Sequence, residues 1–248
     1  MELEVVDAVL LVLGGLVAGF VNTVAGGGSA ITLPILVEIL GNPLLANGTN
    51  RVAILLQNAT GVAGFQRGKA IPWRVVGPLV PPVLGGALVG SWVATRIDPD
   101  AMEVVFAVVI IGVALSVLIS PKRWEGGGEA RLGTVGRIVA FTAIGFYGGF
   151  VQAGVGFLLL AGLVLGGGLD LVSGNAAKVV LILGFTIVAL PVFIVAGQVA
   201  LVAGGVLAIG NMTGAWIASN LAVAKGAGWI RWVVVGAALV AAARMLLR

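Results

Sequence analysis

The chain has 248 residues, 60% of them apolar and 10% charged, with a mean hydropathy of +1.17 and a formal net charge of +4. A soluble domain carries about 25% charged residues, so a water-soluble globule could not cover its surface with so few; the excess apolar surface needs lipid. There is no Cys and no His, which excludes disulfide frameworks, thiolate chemistry and the commonest acid–base group and transition-metal ligand, and the small charge, spread over loops, reads as membrane topology and not as a nucleic-acid footprint.

A spanning helix takes roughly 20 apolar residues, so the length allows about eight to ten crossings and no separate soluble domain. Met1-Glu2-Leu3-Glu4 lacks the basic region of a cleaved leader, and the first apolar segment is expected to stay as an anchor. Apolar segments cut by Gly, Pro and charge fall at 8–25, 29–40, 46–65, 75–95, 101–119, 134–153, 156–168, 174–196, 199–221 and 229–247. Eight are long enough to span. The segments 29–40 and 156–168 reach only about half to two-thirds of the core at 1.5 Å per residue, and each follows a Gly-rich break. No period-2 alternation supports membrane strands.

The polar stretch 120–133 divides the chain into a first repeat (1–119) and a second (134–248). Gly86-Ala-Leu-Val-Gly90-Ser-Trp92 matches Gly210-Asn-Met-Thr-Gly214-Ala-Trp216, Gly19-Phe20-Val21-Asn22 matches Gly149-Phe150-Val151-Gln152, and Arg51-Val52 matches Lys178-Val179. Charge then orients the halves. The loop 66–74 is basic and its counterpart near 197–202 carries no charge, while the acidic amino terminus corresponds to the basic linker. Opposite bias in equivalent loops is what inverted insertion produces. The expected fold is all-α and polytopic, with two inverted repeats of about five segments each. The basic loops 66–74 and 120–133 are expected in the cytoplasm and the termini outside, although Arg244 and Arg248 argue against the last of these. Inverted repeats with short, Gly-interrupted segments point to a secondary transporter with its site near the midplane.

Three polar clusters lie inside apolar sequence. Asn22 and Thr23 precede the break Gly26-Gly27-Gly28, and Ser29 opens a short helix whose positive end faces the break, an arrangement that binds anions; the alternative is a flexible turn. Asn47, Thr49, Asn50 and Arg51 are followed by Gln57 and Asn58. A cation within the bilayer is a functional candidate, or else it snorkels to the headgroups. Gln152, the break Gly154-Val155-Gly156, Asn175 and Lys178 form the counterpart. Together these residues read as a pocket for a small anion. Glu38 is a candidate proton relay or a headgroup-facing residue. Gly86/Gly90 and Gly210/Gly214 are expected to permit close helix packing, and Trp73, Trp229 and Trp232 to anchor at the interface. No catalytic, metal-binding or nucleotide motif is visible, so the chain is expected to be no enzyme and to use no cofactor or metal.

The stretches GFVNTVAGGGSAITLPIL, ANGTNRVAILLQNATGVAGFQRGKAI, GNAAKVVLILG and GAWIASNLAVAKGAGWIRW resemble the TauE/SafE family of sulfite exporters over nearly the whole chain. The resemblance implies an exporter of sulfite, organosulfonates or related sulfur anions in a prokaryotic plasma membrane. It implies site positions at Gly26–Ser29, Thr49-Asn50-Arg51, Asn175 and Lys178. The second break is poorer in Gly than the first, so the two half-sites are not expected to be identical. A small-anion channel, or a carrier of another small organic anion, is the alternative.

Overall fold

A computed structural model describes residues 3–118 and 132–225. Among these residues the chain is helical throughout, with no strand. The first half contains α1 (Val5–Val24), α2 (Ser29–Leu40), α3 (Pro43–Arg67), α4 (Trp73–Ala94) and α5 (Pro99–Leu118). The second contains α6 (Thr134–Phe150), α7 (Val155–Ala161, continued by a π-helical turn Gly162–Gly166), α8 (Leu171–Val195) and α9 (Leu201–Lys225). The segment 229–247 with Trp229 and Trp232, and the linker apart from its last two residues, lie outside the described residues.

Four described helices, α1, α4, α8 and α9, are long and apolar enough to cross a membrane, and the protein is a multi-pass membrane protein. The expectation of eight segments long enough to span is corrected at one described helix, α6, which stops after 17 residues where the chain turns at Val151; α3 has the length, 25 residues, but its polar side chains lower its apolarity. α3 and α8 start with matched caps. The Asn42 side chain accepts from the amides of Leu44 and Leu45, with Pro43 at the first helical position, and the Asp170 side chain accepts from Val172 and Ser173.

The close contacts fix the sense of each helix. Gly14 of α1 faces Ile35 and Gly28 faces Ala18, so α1 and α2 form an antiparallel hairpin. Gly148 of α6 faces Val155, and Gly162 faces Phe141 and Ile144, so α6 and α7 form a second. Between the halves, Gly210 and Gly214 of α9 pack on the backbone of α1 at Val12, Leu16 and Phe20, while Gly15 and Gly19 return the contact on Leu207 and Asn211. In the same way Gly86 and Gly90 of α4 pack on α6 at Thr142, Phe146 and Phe150, answered by Gly145 on Val83 and Gly149 on Ala87. Both pairs run parallel. Lipid tails are as apolar as leucine, so helices associate here by close approach and not by the hydrophobic effect, and small residues mark the seams.

α3 runs parallel to α9, with Gly64 on Ser219 and Gly68 on Val223. It runs antiparallel to α8, with Gly48 against Phe193 and Gly61 against Val179. These senses gather Arg67, Lys69, Arg74, Arg137 and Lys225 at one end of the molecule. Glu4, Asp7, Asp98, Asp100 and Glu103 lie at the other, with Arg96 the exception there and Asp170 the exception at the basic end.

Two neighbouring glycines of α4 give a direct test of this packing. Gly85 is exposed with open space around it, whereas a Cβ on Gly86 would collide with the carbonyl of Thr142. Gly85→Ala is expected to stabilise by about 0.5–1 kcal/mol through the backbone term. Gly86→Ala is expected to destabilise by about 1–3 kcal/mol or more through overpacking. Thermal melting in detergent measures both.

Candidate functional site at the helix breaks

The tips of the two hairpins meet. Gly26, with φ +93°, lies backbone to backbone against Gly156, and neither has room for a Cβ. Gly27 sits beneath the ring of Phe157, and Gly28 fits against the carbonyl of Ala18 and the Cβ of Asn22. Glycine is therefore required at 26 and 156 for close approach, and at 26 also for backbone conformation. After the break the amides of Ala30 and Ile31 turn back onto the carbonyls of Gly27 and Gly28, at 3.1 and 2.9 Å. The amides of Gly27, Gly28 and Ser29 stand ahead of that turn, where a helix has no internal acceptor and its dipole is positive.

Arg51 and Lys178 are both fully buried, which removes the headgroup-snorkelling alternative. They share no hydrogen-bond partner, and each is held by the end of the opposite half's broken helix. The Arg51 guanidinium donates to the carbonyls of Gly148, Gly149 and Phe150 at 3.1, 2.6 and 3.3 Å, closing the carboxyl end of α6, and it lies 4.3 Å from the centre of the Phe193 ring. The Lys178 ammonium donates to the carbonyls of Asn22 and Thr23, both at 2.9 Å, and to Oδ1 of Asn175 at 2.6 Å, closing the carboxyl end of α1. A cation at a helix carboxyl end satisfies orphan carbonyls and opposes the negative end of the dipole. All three Nζ donors of Lys178 are engaged, whereas Nε of Arg51 has no partner. The acceptors are five carbonyls and one amide oxygen, so both cations are held by neutral groups only.

The remaining predicted residues take distinct places. Asn50 accepts from Thr32 at 2.7 Å and donates to Ser29 at 3.2 Å, binding α3 to the start of α2. The Thr49 hydroxyl accepts from the Ala200 amide at 2.9 Å. Asn22 donates to Oε1 of Gln57 at 3.3 Å, while Nε2 of Gln57 is buried without a partner. Gln152, at φ +69°, donates to the Thr186 hydroxyl at 3.1 Å, and its Oε1 is buried without a partner. Asn175 supports Lys178, Thr23 bonds back to its own helix at Gly19, and Gly154 opens α7 at φ +71°. Glu38 is exposed near the end of α2 and joins none of these groups. Sequence reasoning missed Asn211, which donates to the same Gln57 oxygen at 3.3 Å, and Thr32 and Thr186. Asn211 carried a readable signal: it is a polar residue next to the repeated Gly210, and it is fully buried.

The second break has a side-chain brace within its own hairpin. The Tyr147 hydroxyl donates to the carbonyl of Ala153 at 2.5 Å, holding the turn between Gln152 and Gly154. Tyr147→Phe is expected to cost about 0.5–1.5 kcal/mol, the net value of one hydrogen bond. Hydrogen exchange of the Val151–Gly156 amides should rise in this variant while that of Gly26–Ser29 stays constant.

The sequence matches the family described as "Sulfite exporter TauE/SafE" over residues 11–245. A probable membrane transporter protein of Sinorhizobium, ORF9, is 27% identical over 95% of this chain and 91% of its own length. The probable membrane transporter protein YfcA of Escherichia coli K12 is 26% identical over 93% of this chain and 86% of its own length. A probable membrane transporter protein of Haemophilus influenzae is 27% identical over 94% and 91%. No solved structure matches. A multi-pass helical protein matched from Leu11 into its final segment, with relatives of the same length class, belongs to the TauE/SafE sulfite exporter family of membrane transporters.

Proposed function

We propose that the chain carries a small sulfur-containing oxyanion, of the sulfite or organosulfonate class, across the membrane by alternating access. The observation that carries this reading is the pair of fully buried cations whose acceptors are all neutral. Two positive charges without carboxylate partners raise the potential around the hairpin tips in a low-dielectric setting, and a small anion is their natural complement. The amides of Gly27, Gly28 and Ser29 supply direct donors, with Asn22, which packs on Gly28, and its partner Gln57 beside them. Lys178 acts through its charge and through its hold on α1. The family description supports a sulfur oxyanion as cargo. The antiparallel pairing of the mates α3 and α8 supports inverted repeats, and the basic end then faces the cytoplasm.

The reading is tested by flux in proteoliposomes over sulfite, sulfate, thiosulfate, sulfoacetate and taurine. Saturable flux of at least one of them is expected, accelerated by the same anion on the opposite side. Flux without such counterflow would replace the carrier by a channel, and no flux of any would remove this cargo class.

A further inference from the structure

We infer that the bodies moving against each other in the transport cycle are two helix bundles that exchange a helix between the halves, and that Arg51 and Lys178 are positioning residues reaching from each bundle into the other. α1, α2 and α3 are joined by α9 of the second half; α6, α7 and α8 are joined by α4 of the first. Within each bundle, backbone meets backbone at glycine. Gly15, Gly19, Gly210 and Gly214 lock α1 to α9, and Gly86, Gly90, Gly145 and Gly149 lock α4 to α6. Interlocked backbones at native packing density do not slide.

Between the bundles such contacts are confined to a point. The hairpin tips meet backbone to backbone at Gly26 and Gly156, and Gly48 fits against the Gln198 carbonyl in the α8–α9 connection, whereas along α3 and α8 a Cβ on Gly61 would meet Val179 at 3.7 Å, which is ordinary van der Waals contact; a lone contact at the tips can act as a pivot where a row of them cannot. The two cations cross on long stems, Arg51 from the first bundle to the end of α6 and Lys178 from the second to the end of α1. Hydrogen bonds from such stems to a row of carbonyls can be exchanged one at a time. Two chain connections, α3 to α4 and α8 to α9, also cross between the bundles. Each carries one residue in the left-handed region, Lys69 at φ +51° and Gly197 at φ +70°. A left-handed residue at a helix end is a place where a small dihedral change redirects the following helix.

The inference rests on the transport reading for its purpose, yet its test needs no substrate. The chain has no Cys, so cysteine pairs at exposed positions accept nitroxide labels without background. Val6 with Ile217 spans the two halves but stays within the first bundle; Val6 with Val89 stays within the first half but spans the bundles. In pulsed dipolar spectroscopy on proteoliposomes, Val6/Ile217 is expected to give a single distance and Val6/Val89 more than one. Lys178→Met is expected to redistribute the Val6/Val89 distances by more than twofold in population and to leave Val6/Ile217 unchanged. Should Lys178→Met fail to fold, Lys178→Gln, a shorter and neutral side chain, serves in its place. More than one distance for Val6/Ile217 would mean that the bundle does not move as a body, and a single distance for both pairs would mean that the bundles do not move apart; either overturns the inference. Unchanged Val6/Val89 populations in the Lys178 variant would remove the positioning role. If these distances behave as expected while no sulfur anion is carried, the cargo fails and the bundles stand.

Discussion

Gly26→Ala is expected to abolish flux and to lower stability by at least about 2 kcal/mol. Two costs add at this position. A residue with a Cβ in the left-handed region costs about 1–2 kcal/mol, and the new atom would overlap the backbone of Gly156, which has no flexible end to move aside; overpacking of that kind costs about 1–3 kcal/mol or more. Gly41→Ala separates the terms, because Gly41 has φ +64° and nothing within 4 Å of a Cβ. It is expected to lose only the backbone term and to keep transport. Gly27→Ala makes a third comparison, since its Cβ would press on the Phe157 ring, a side chain able to shift. Melting temperature and flux measured on the three variants should rank them Gly26, Gly27, Gly41 in severity. A Gly26→Ala protein as stable and active as Gly41→Ala would mean that the hairpin tips do not touch in the working protein.

Lys178→Met is expected to have the second large effect, and on two measurements at once. It strips the donor from the carbonyls of Asn22 and Thr23 and from Oδ1 of Asn175, all inside the protein. Each unsatisfied buried acceptor costs about 1–3 kcal/mol, so a loss of at least about 3 kcal/mol in stability is expected. It also removes a buried positive charge near the tips. Anion affinity should then fall by about 1–3 kcal/mol, or about 5- to 150-fold in Kd. Arg51→Gln should behave alike, with the additional loss of its stacking on Phe193. Lys178→Arg should recover most of the stability. Calorimetric titration in detergent alongside melting separates the roles. Lost affinity with intact stability would make the cations plain ligands, and lost stability with intact affinity would make them helix caps alone.

The membrane class and the broken segments were legible in the sequence because each is a local property. Hydropathy is a sum over neighbours, and a triglycine breaks a helix wherever it stands. α2 runs over Ser29–Leu40, as its pattern predicts, because Gly28 and Gly41 bound it. The places of Arg51 and Lys178 in apolar runs fit burial and snorkelling alike, and only the packed helices bury them. Their partners were not legible either. The carbonyls that hold Arg51 belong to Gly148, Gly149 and Phe150, about a hundred residues away, and carbonyls have no sequence identity by which they could be recognised. The extent of α6 was overread because apolar residues continue through the turn at Val151, and only the left-handed Gln152 and Gly154 end the helix.

The sequence by itself thus determined a polytopic helical protein with two short segments after Gly-rich breaks and a cation within each of two apolar runs. The tertiary structure alone decided that the hairpin tips meet at Gly26 and Gly156, and that each cation closes the helix end of the other half. It also decided that α4 and α9 change partners. The physical reason is the same in each case. Small residues in lipid allow close approach without specifying to which helix, and the choice is made only when all the helices pack at once.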